Sequence, residues 1–357
     1  MTTDELERDG AVGDLRQRAQ GLRAARPDLR ARDLALALGV SEAELVAARC
    51  GDGVRRLDGP WGGLIERLPE LGIVMALTRG EYAVHEKVGR YDKISLFGRM
   101  GLVLNGDIDL RLFLDHWQLG FAVQEETRSG PRQSLQFFDA DGTAVHKIYL
   151  RSESEAAAYG RLVQDYLHPD QSPVASVKAL AATEPDRPDG DIDRTALRQR
   201  WLALQDVHDF HAMLGDLGVG RVQAMRLVGD DLAYQVDKAS LRQALEQAAV
   251  SQLPVMVFVG SPGVIQIHTG AVHTLKQMGP WFNVLDPGFN LHLREDGVAA
   301  VWVVRKPTAD GIVTSLELYD SDNRQIAWLF GERHVGEPER EDWRAVIAGL
   351  SRPEMAA

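Results

Sequence analysis

The chain is poor in cysteine, with a single one, Cys50, in 357 residues. That excludes an internal disulfide and any zinc or iron–sulfur site built on several thiolates. It is also poor in positive charge, with a formal net charge of -12. Non-specific binding to nucleic acid or to an anionic lipid surface needs basic patches, so neither is expected. A local basic pocket for an anionic small molecule stays open. No stretch approaches about 18 uninterrupted apolar residues, so no membrane-spanning helix is expected. The start, MTTDELERDGAVGDL, is acidic and lacks a basic stretch followed by an apolar run. A secretory signal is therefore not expected, and the location read from the sequence is cytoplasmic. What the chain does have is 45% apolar and 26% charged residues, the balance of a soluble globular protein. Its length fits roughly two domains of about 150 residues, or one large one.

The strongest positive feature is an internal repeat at a long period. SLQFFDADGTAVHKIY (134–149) and SLELYDSDNRQIAWLF (315–330) align at an offset of 181 residues. Ser134 then meets Ser315, Leu135 meets Leu316, Asp139 meets Asp320 and Asp141 meets Asp322. The same offset pairs IDLRL (108–112) with FNLHL (289–293), and Phe121 and Val123 with Trp302 and Val304. AVHEKVG (83–89) resembles QIHTGAV (266–272) with the register shifted by two. Ordered matches over several segments imply a tandem duplication.

Each half begins helical and ends in strands. LRARDLALALGVSEAELVAAR (29–49) has helical spacing broken at Gly39, and Ser41 with Glu44 reads as a capping box. LGIVMALTR (71–79) opens the strand region, and SLQFFDADGTAVHKIYL reads as a hairpin around Asp-Ala-Asp-Gly. In the second half, 195–214 and 240–250 read as helices. The stretches 253–260, 263–270, 298–306 and 314–320 read as strands. Strands in runs after helices predict an α+β fold, each half a large antiparallel β-sheet with flanking helices. The expected organisation is a flexible segment over 1–28, a first repeat over 29–167, a Pro- and Asp-rich linker over 168–193 and a second repeat over 194–350.

Most familiar motifs are absent. LGVGRVQA (217–224) has two glycines of a G-x-G-x-x-G pattern but lacks the third and follows a helix, so it reads as an interhelix turn. Two histidines stand out. On a helix over 194–216, Trp201, Leu204, His208 and His211 fall on one stripe, beside a core stripe of Val207, Phe210, Leu214 and Leu217. Two such histidines are, by themselves, ordinary half-buried residues. A two-histidine metal clip is a minor option without a third ligand nearby in sequence.

LTRGEYAVHEKVGRY (77–91), GDIDLRLFLDHWQLGFAV (106–123), SLQFFDADGTAVHKIYL (134–150) and FVGSPGVIQIHTG (258–270) resemble the HemS/PhuS-type haemin-binding proteins, also called haemin transport or haemin-degrading factors. The resemblance runs from about residue 28 nearly to the end. It implies two similar halves with a haem cleft between them. It implies His208, in the DVH motif, as the haem-iron ligand, and His211 as an alternative ligand. It implies Arg111, in IDLR, on the distal face, with a catalytic role if the protein is enzymatic. Arg221 in GVGRVQA, Lys306 in VVRKP and Arg333 in LFGER are implied as cationic contacts to the propionates or porphyrin. Phe258 in VFVG is implied as an apolar wall. Haem b, a flat apolar ligand with two carboxylates, requires this mixture of apolar walls, a nitrogen donor and cationic anchors.

The function so implied is a bacterial haem-binding protein of iron acquisition that passes imported haem to a haem oxygenase, with an inner-membrane haem importer as the other expected partner. The alternative is an enzyme that opens the porphyrin and releases iron. A DNA-binding, iron-responsive regulator is disfavoured by the acidity and the lack of a DNA-binding motif.

Overall fold

The structure, a computed structural model, describes residues 3–27, 29–127, 130–179, 185–334 and 336–353. The first half carries helices α1 (Thr3–Ala25), α2 (Ala31–Leu38), α3 (Glu42–Ala47), α4 (Trp61–Glu66) and α5 (Ala156–Asp165). Its strands are β1 (Val54–Leu57), β2 (Gly72–Arg79), β3 (Ala83–Gly89), β4 (Ile94–Phe97), β5 (Met100–Leu104), β6 (Asp109–Phe113), β7 (Leu119–Thr127), β8 (Gly130–Phe138) and β9 (Ala144–Ser154). The second half carries α6 (Arg194–Leu202), α7 (Asp209–Leu217), α8 (Arg221–Val228), α9 (Ser240–Ser251) and α10 (Glu341–Ala348). Its strands are β10 (Ala233–Val236), β11 (Val255–Ser261), β12 (Val264–Gly270), β13 (Leu275–Met278), β14 (Trp281–Asp286), β15 (Phe289–Arg294), β16 (Ala300–Thr308), β17 (Gly311–Tyr319) and β18 (Gln325–Gly331).

The repeat read from the sequence is repeated in the strands. β7, β8 and β16, β17 begin at Leu119, Gly130 and Ala300, Gly311, an offset of 181 in both cases. In the first half β1-β7-β8-β9-β2 pair antiparallel in that order, and β4-β5-β6 form a second run. In the second half β10-β16-β17-β18-β11 and β13-β14-β15 do the same. The fold is α+β with a tandem duplication, as expected. The chain divides into two compact units. Unit 1 is Met1–Arg79, Glu86–Ala181 and Ser261–Gln266, and unit 2 is Gly80–His85, Ala182–Gly260 and Ile267–Ala357.

Local signals explain much of this. Ser41 and Glu44 form the capping box of α3, and Gly39 ends α2 in the left-handed region. The β8–β9 hairpin turns through Asp139 to Thr143, with Gly142 at φ 82°, a value that only glycine reaches without strain. In unit 2, β17 is buried on both faces. Leu316 and Leu318 face the core made with α9 and α10, while Tyr319 joins the core made with α6, α7 and α8.

Two expectations are corrected. The 1–28 segment, expected as flexible, carries α1, whose Leu15, Ala19 and Leu22 pack with Leu34, Ala35 and Leu38. The stretch read as a linker over 168–193 is largely irregular where it is described, with a one-turn helix at Asp189–Asp191, and its residues 180–184 lie outside the described residues. The single helix read over 194–216 is two helices, α6 and α7, parted by residues 203–208. The apolar period runs unbroken through this region, but Asp206 does not continue the helix. Its Oδ1 accepts the backbone N–H of His208 at 2.9 Å, the local turn with which aspartate competes against helical hydrogen bonding. The loop is also tied away from the helix axis, because Ala309 N donates to Gln205 O at 2.9 Å.

Candidate functional site

The break between α6 and α7 sets the position of both histidines. α6 is fixed by Trp201, fully buried, whose indole N–H donates to Arg305 O of β16 at 2.8 Å. After the break, His208 is the N-cap of α7 and His211 lies in its first turn, so they do not share the stripe expected with Trp201 and Leu204. Between them Phe210 points inward, 2% exposed, edge-on to Trp201 with ring centroids 4.6 Å apart. Both histidines remain at the surface.

His208 is oriented. Its Nδ1 lies 2.6 Å from Asp206 Oδ1, and its side chain is 84% exposed. An ionised carboxylate only accepts, so Nδ1 is the donor in this pair, and Nε2 is left as the nitrogen available to a ligand. The hydrogen bonds from His208 hold the Asp206 carboxyl below its ordinary range, helped by the charge of nearby Arg333. His211 has no hydrogen-bond partner among the described residues.

Under α7 and α8 lies a buried ion cluster centred on Glu317, which is 0% exposed. Arg221 clasps it with Nε and Nη2 at 2.9–3.0 Å, and Lys306 Nζ donates to Oε1 at 2.7 Å. Tyr319 Oη donates to Oε2 at 2.6 Å, and Ser315 Oγ to Oε1 at 2.8 Å. Both cations sit over the Phe210 ring, Arg221 at 5.0 Å and Lys306 at 4.7 Å from its centroid. Burial pushes the Lys306 amine down to about 8, against the pull of Glu317. Burial acts to raise the Glu317 carboxyl, but Arg221 and Lys306 overcome it and hold the group well below its ordinary range. Arg221 and Lys306 were expected as cationic contacts to the propionates or porphyrin. In the structure the two cations share the one Glu317 carboxylate, and both lie over the Phe210 ring of α7.

The sheet beneath continues outward. Directly opposed residues of antiparallel strands share a face, and the register pairs Trp302 with Glu317, Glu317 with Trp328, and Trp328 with Phe258. One row therefore crosses β16, β17, β18 and β11. The α6–α8 core covers Trp302 and Tyr319 at its start, and Trp328 and Phe258 at its end are half-buried, with Phe330 packed 5.1 Å from Phe258. The expected wall residue Phe258 thus belongs to an aromatic ledge. Arg333 follows β18 three residues past Phe330. It is half-buried, and its Nε is buried without a hydrogen-bond partner among the described residues.

Arg111 lies in unit 1, on β6, opposite Leu102 of β5. Its Nη1 donates to Asp109, whose carboxyl burial pushes up in spite of Arg111. A cavity of about 430 Å³ in unit 1, lined by Gly53, Arg55, Gln124, Gln133 and Tyr159 among others, includes none of the predicted residues. Four contributors escaped sequence reasoning. Asp206 had a signal, a turn-forming aspartate two residues before the histidine. Glu317 had one too, an acid flanked by leucines in a strand. Trp328 and Phe330 had none that separates them from core aromatics.

The profile of the family described as Haemin-degrading HemS.ChuX domain matches residues 39–166 and 218–350. This chain belongs to the HemS/ChuX family. The two matched segments mirror the duplication and leave out 167–217, the stretch that holds His208 and His211. Over 339 residues the chain is 43% identical to the hemin transport protein HmuS of Yersinia pestis, covering 94% of this chain and 96% of that protein. The crystal structure of holo-PhuS, a haem-binding protein from Pseudomonas aeruginosa, is 48% identical, covers 96% of this chain and 99% of that one, and superposes with a TM-score of 0.93. ChuS, a haem-degrading enzyme of Escherichia coli O157:H7, is 40% identical with a TM-score of 0.90, over 95% of this chain and 99% of that one. Among the described residues there is no cluster of three or more metal-ligating side chains, and no helix long and apolar enough to cross a membrane.

Proposed function

We propose that this chain binds haem b as cargo, with His208 as the iron ligand and His211 as the alternative, and carries it in the cytoplasm to a haem oxygenase. Haem brings a flat apolar face, two carboxylates and an iron that takes a nitrogen donor. The observation that carries the reading is an exposed imidazole whose Nδ1 is held by Asp206, on a helix packed over the same sheet face as the Phe258–Trp328–Phe330 ledge. The buried Nε of Arg333, without a hydrogen-bond partner among the described residues, supplies a donor for a carboxylate, a pairing arginine makes well. Arg221 and Lys306 enter as supports for α7, and Arg111 enters through its IDLR motif alone.

The names of the relatives favour the carrier, because HmuS is a hemin transport protein and PhuS a haem-binding protein. They also keep a second reading in play, because ChuS is named a haem-degrading enzyme. One experiment separates the two. The haem-loaded protein is given a reductase and catalase, and in parallel is mixed with apo haem oxygenase in a stopped-flow instrument, with apomyoglobin capture measuring passive loss. The carrier reading predicts transfer faster than passive loss and no ring-opened tetrapyrrole. Tetrapyrrole and free iron formed by this protein alone would establish the enzyme instead.

A further inference from the structure

We infer that Asp206 is a positioning residue that selects His208 over His211 as the resting iron ligand; this rests on the proposed haem-binding reading. The two imidazoles stand one helical turn apart, and each is exposed, so reach alone does not choose between them. Their hydrogen bonding does. His208 Nδ1 donates to a carboxylate at 2.6 Å, and no group among the described residues does the same for His211. A carboxylate on the far nitrogen fixes the ring orientation and makes the ligating nitrogen more basic. It also removes the entropy that a freely rotating imidazole loses on ligation. Both effects favour His208, and both end if the carboxylate is lost.

Asp206 has a second task that a good test must leave intact. The same Oδ1 accepts the His208 backbone N–H at 2.9 Å and starts α7. Asparagine keeps that acceptor and removes the charge. Serine keeps a shorter acceptor. Substituting such outer partners of metal-bound histidines typically lowers metal affinity by about 10- to 100-fold. Asp206 is 58% exposed and partly screened, so the lower end, about 10-fold, is expected here.

The experiment compares ferric haem binding and the iron–histidine stretching frequency of the reduced form for the wild type, Asp206→Asn, Asp206→Ser, His211→Ala and Asp206→Asn combined with His211→Ala. In the wild-type background His211→Ala is expected to be nearly silent. Asp206→Asn and Asp206→Ser should each lower ferric affinity about 10-fold and lower the stretching frequency. In the Asp206→Asn background, His211→Ala should now weaken binding markedly, because iron has moved to His211. The inference is overturned if both Asp206 variants keep the wild-type affinity and frequency, or if His211→Ala is equally silent in both backgrounds. Failure of the underlying reading looks different: His208→Ala would keep the wild-type Soret spectrum whatever residue 206 is.

Discussion

Glu317 shows how a single residue can be read in two ways. In sequence it is an acid in a strand, and the basic residues near it in space, Arg221 and Lys306, look like ligand contacts. In the structure the three form one neutralising cluster with a spare positive charge above Phe210. Removing one partner of a buried ion pair typically costs about 3–5 kcal/mol, because the other is left uncompensated. Arg221 is 26% exposed and can turn toward water, but Lys306 is 5% exposed and cannot. Glu317→Gln is therefore expected to destabilise by about 3 kcal/mol in urea unfolding. A loss under about 1 kcal/mol would show that the cluster is not what supports α7. His146 makes a second residue-scale prediction. It is buried between Thr78 Oγ1 at 2.9 Å and Tyr91 Oη at 2.5 Å, and burial lowers its pKa from 6.5 to about 3. Between those two pH values the unfolded chain binds a proton that the folded chain does not. Stability is thus intact above pH 6.5 and falls on acidification toward pH 3, by up to about 1.4 kcal/mol per unit. His146→Gln should flatten that acid limb by one proton between pH 6.5 and 4, read from denaturation midpoints across pH. An unchanged slope would assign the acid sensitivity to other groups.

At the scale of elements, the decisive feature is the interruption at residues 203–208. Hydrophobic spacing is blind to it, since Trp201 before the break, Leu204 within it and Phe210 after it are all buried. The signal that exists is local: an aspartate whose side chain takes the place of a helical hydrogen bond. The end of α7 is legible, because Gly218 follows the last apolar position and sits at φ 58°. An alanine there carries the left-handed penalty of about 1–2 kcal/mol, and its Cβ would also meet Arg187 Nη1 at 3.1 Å. Gly218→Ala is expected to lower stability by about that amount while leaving far-UV circular dichroism unchanged. A neutral or stabilising effect would contradict the cap geometry. Strands were easier to read than helices here. Alternation and the β8–β9 turn residues specify both pairing and register, and the predicted runs at 253–260, 263–270, 298–306 and 314–320 fall on β11, β12, β16 and β17. Of the proposed site, the sequence offers His208 through the resemblance of its DVH motif. What it rests on was not legible, because the Glu317 cluster joins residues almost 100 positions apart whose pairing only the fold reveals.

For the whole molecule, duplication of fold has not preserved duplication of chemistry. At the offset of 181, Glu317, Lys306 and Tyr319 correspond to Gln136, Glu125 and Phe138, and Trp328 corresponds to Lys147. In unit 1, the side chain of Gln136 donates to the neighbouring Ser134 Oγ at 3.1 Å, and Lys147 is buried against Glu42 at 2.8 Å. The ion cluster and the aromatic ledge therefore belong to unit 2, and the proposed haem-binding reading predicts one haem per chain. The measurement that tests this most directly is a ferric haem titration of the wild type and of His208→Ala, followed at the Soret band. The account predicts saturation of the wild type at one equivalent, and for His208→Ala an altered Soret band with affinity at least about 10-fold weaker. Saturation at two equivalents, or a His208→Ala protein with the wild-type spectrum and affinity, would contradict it.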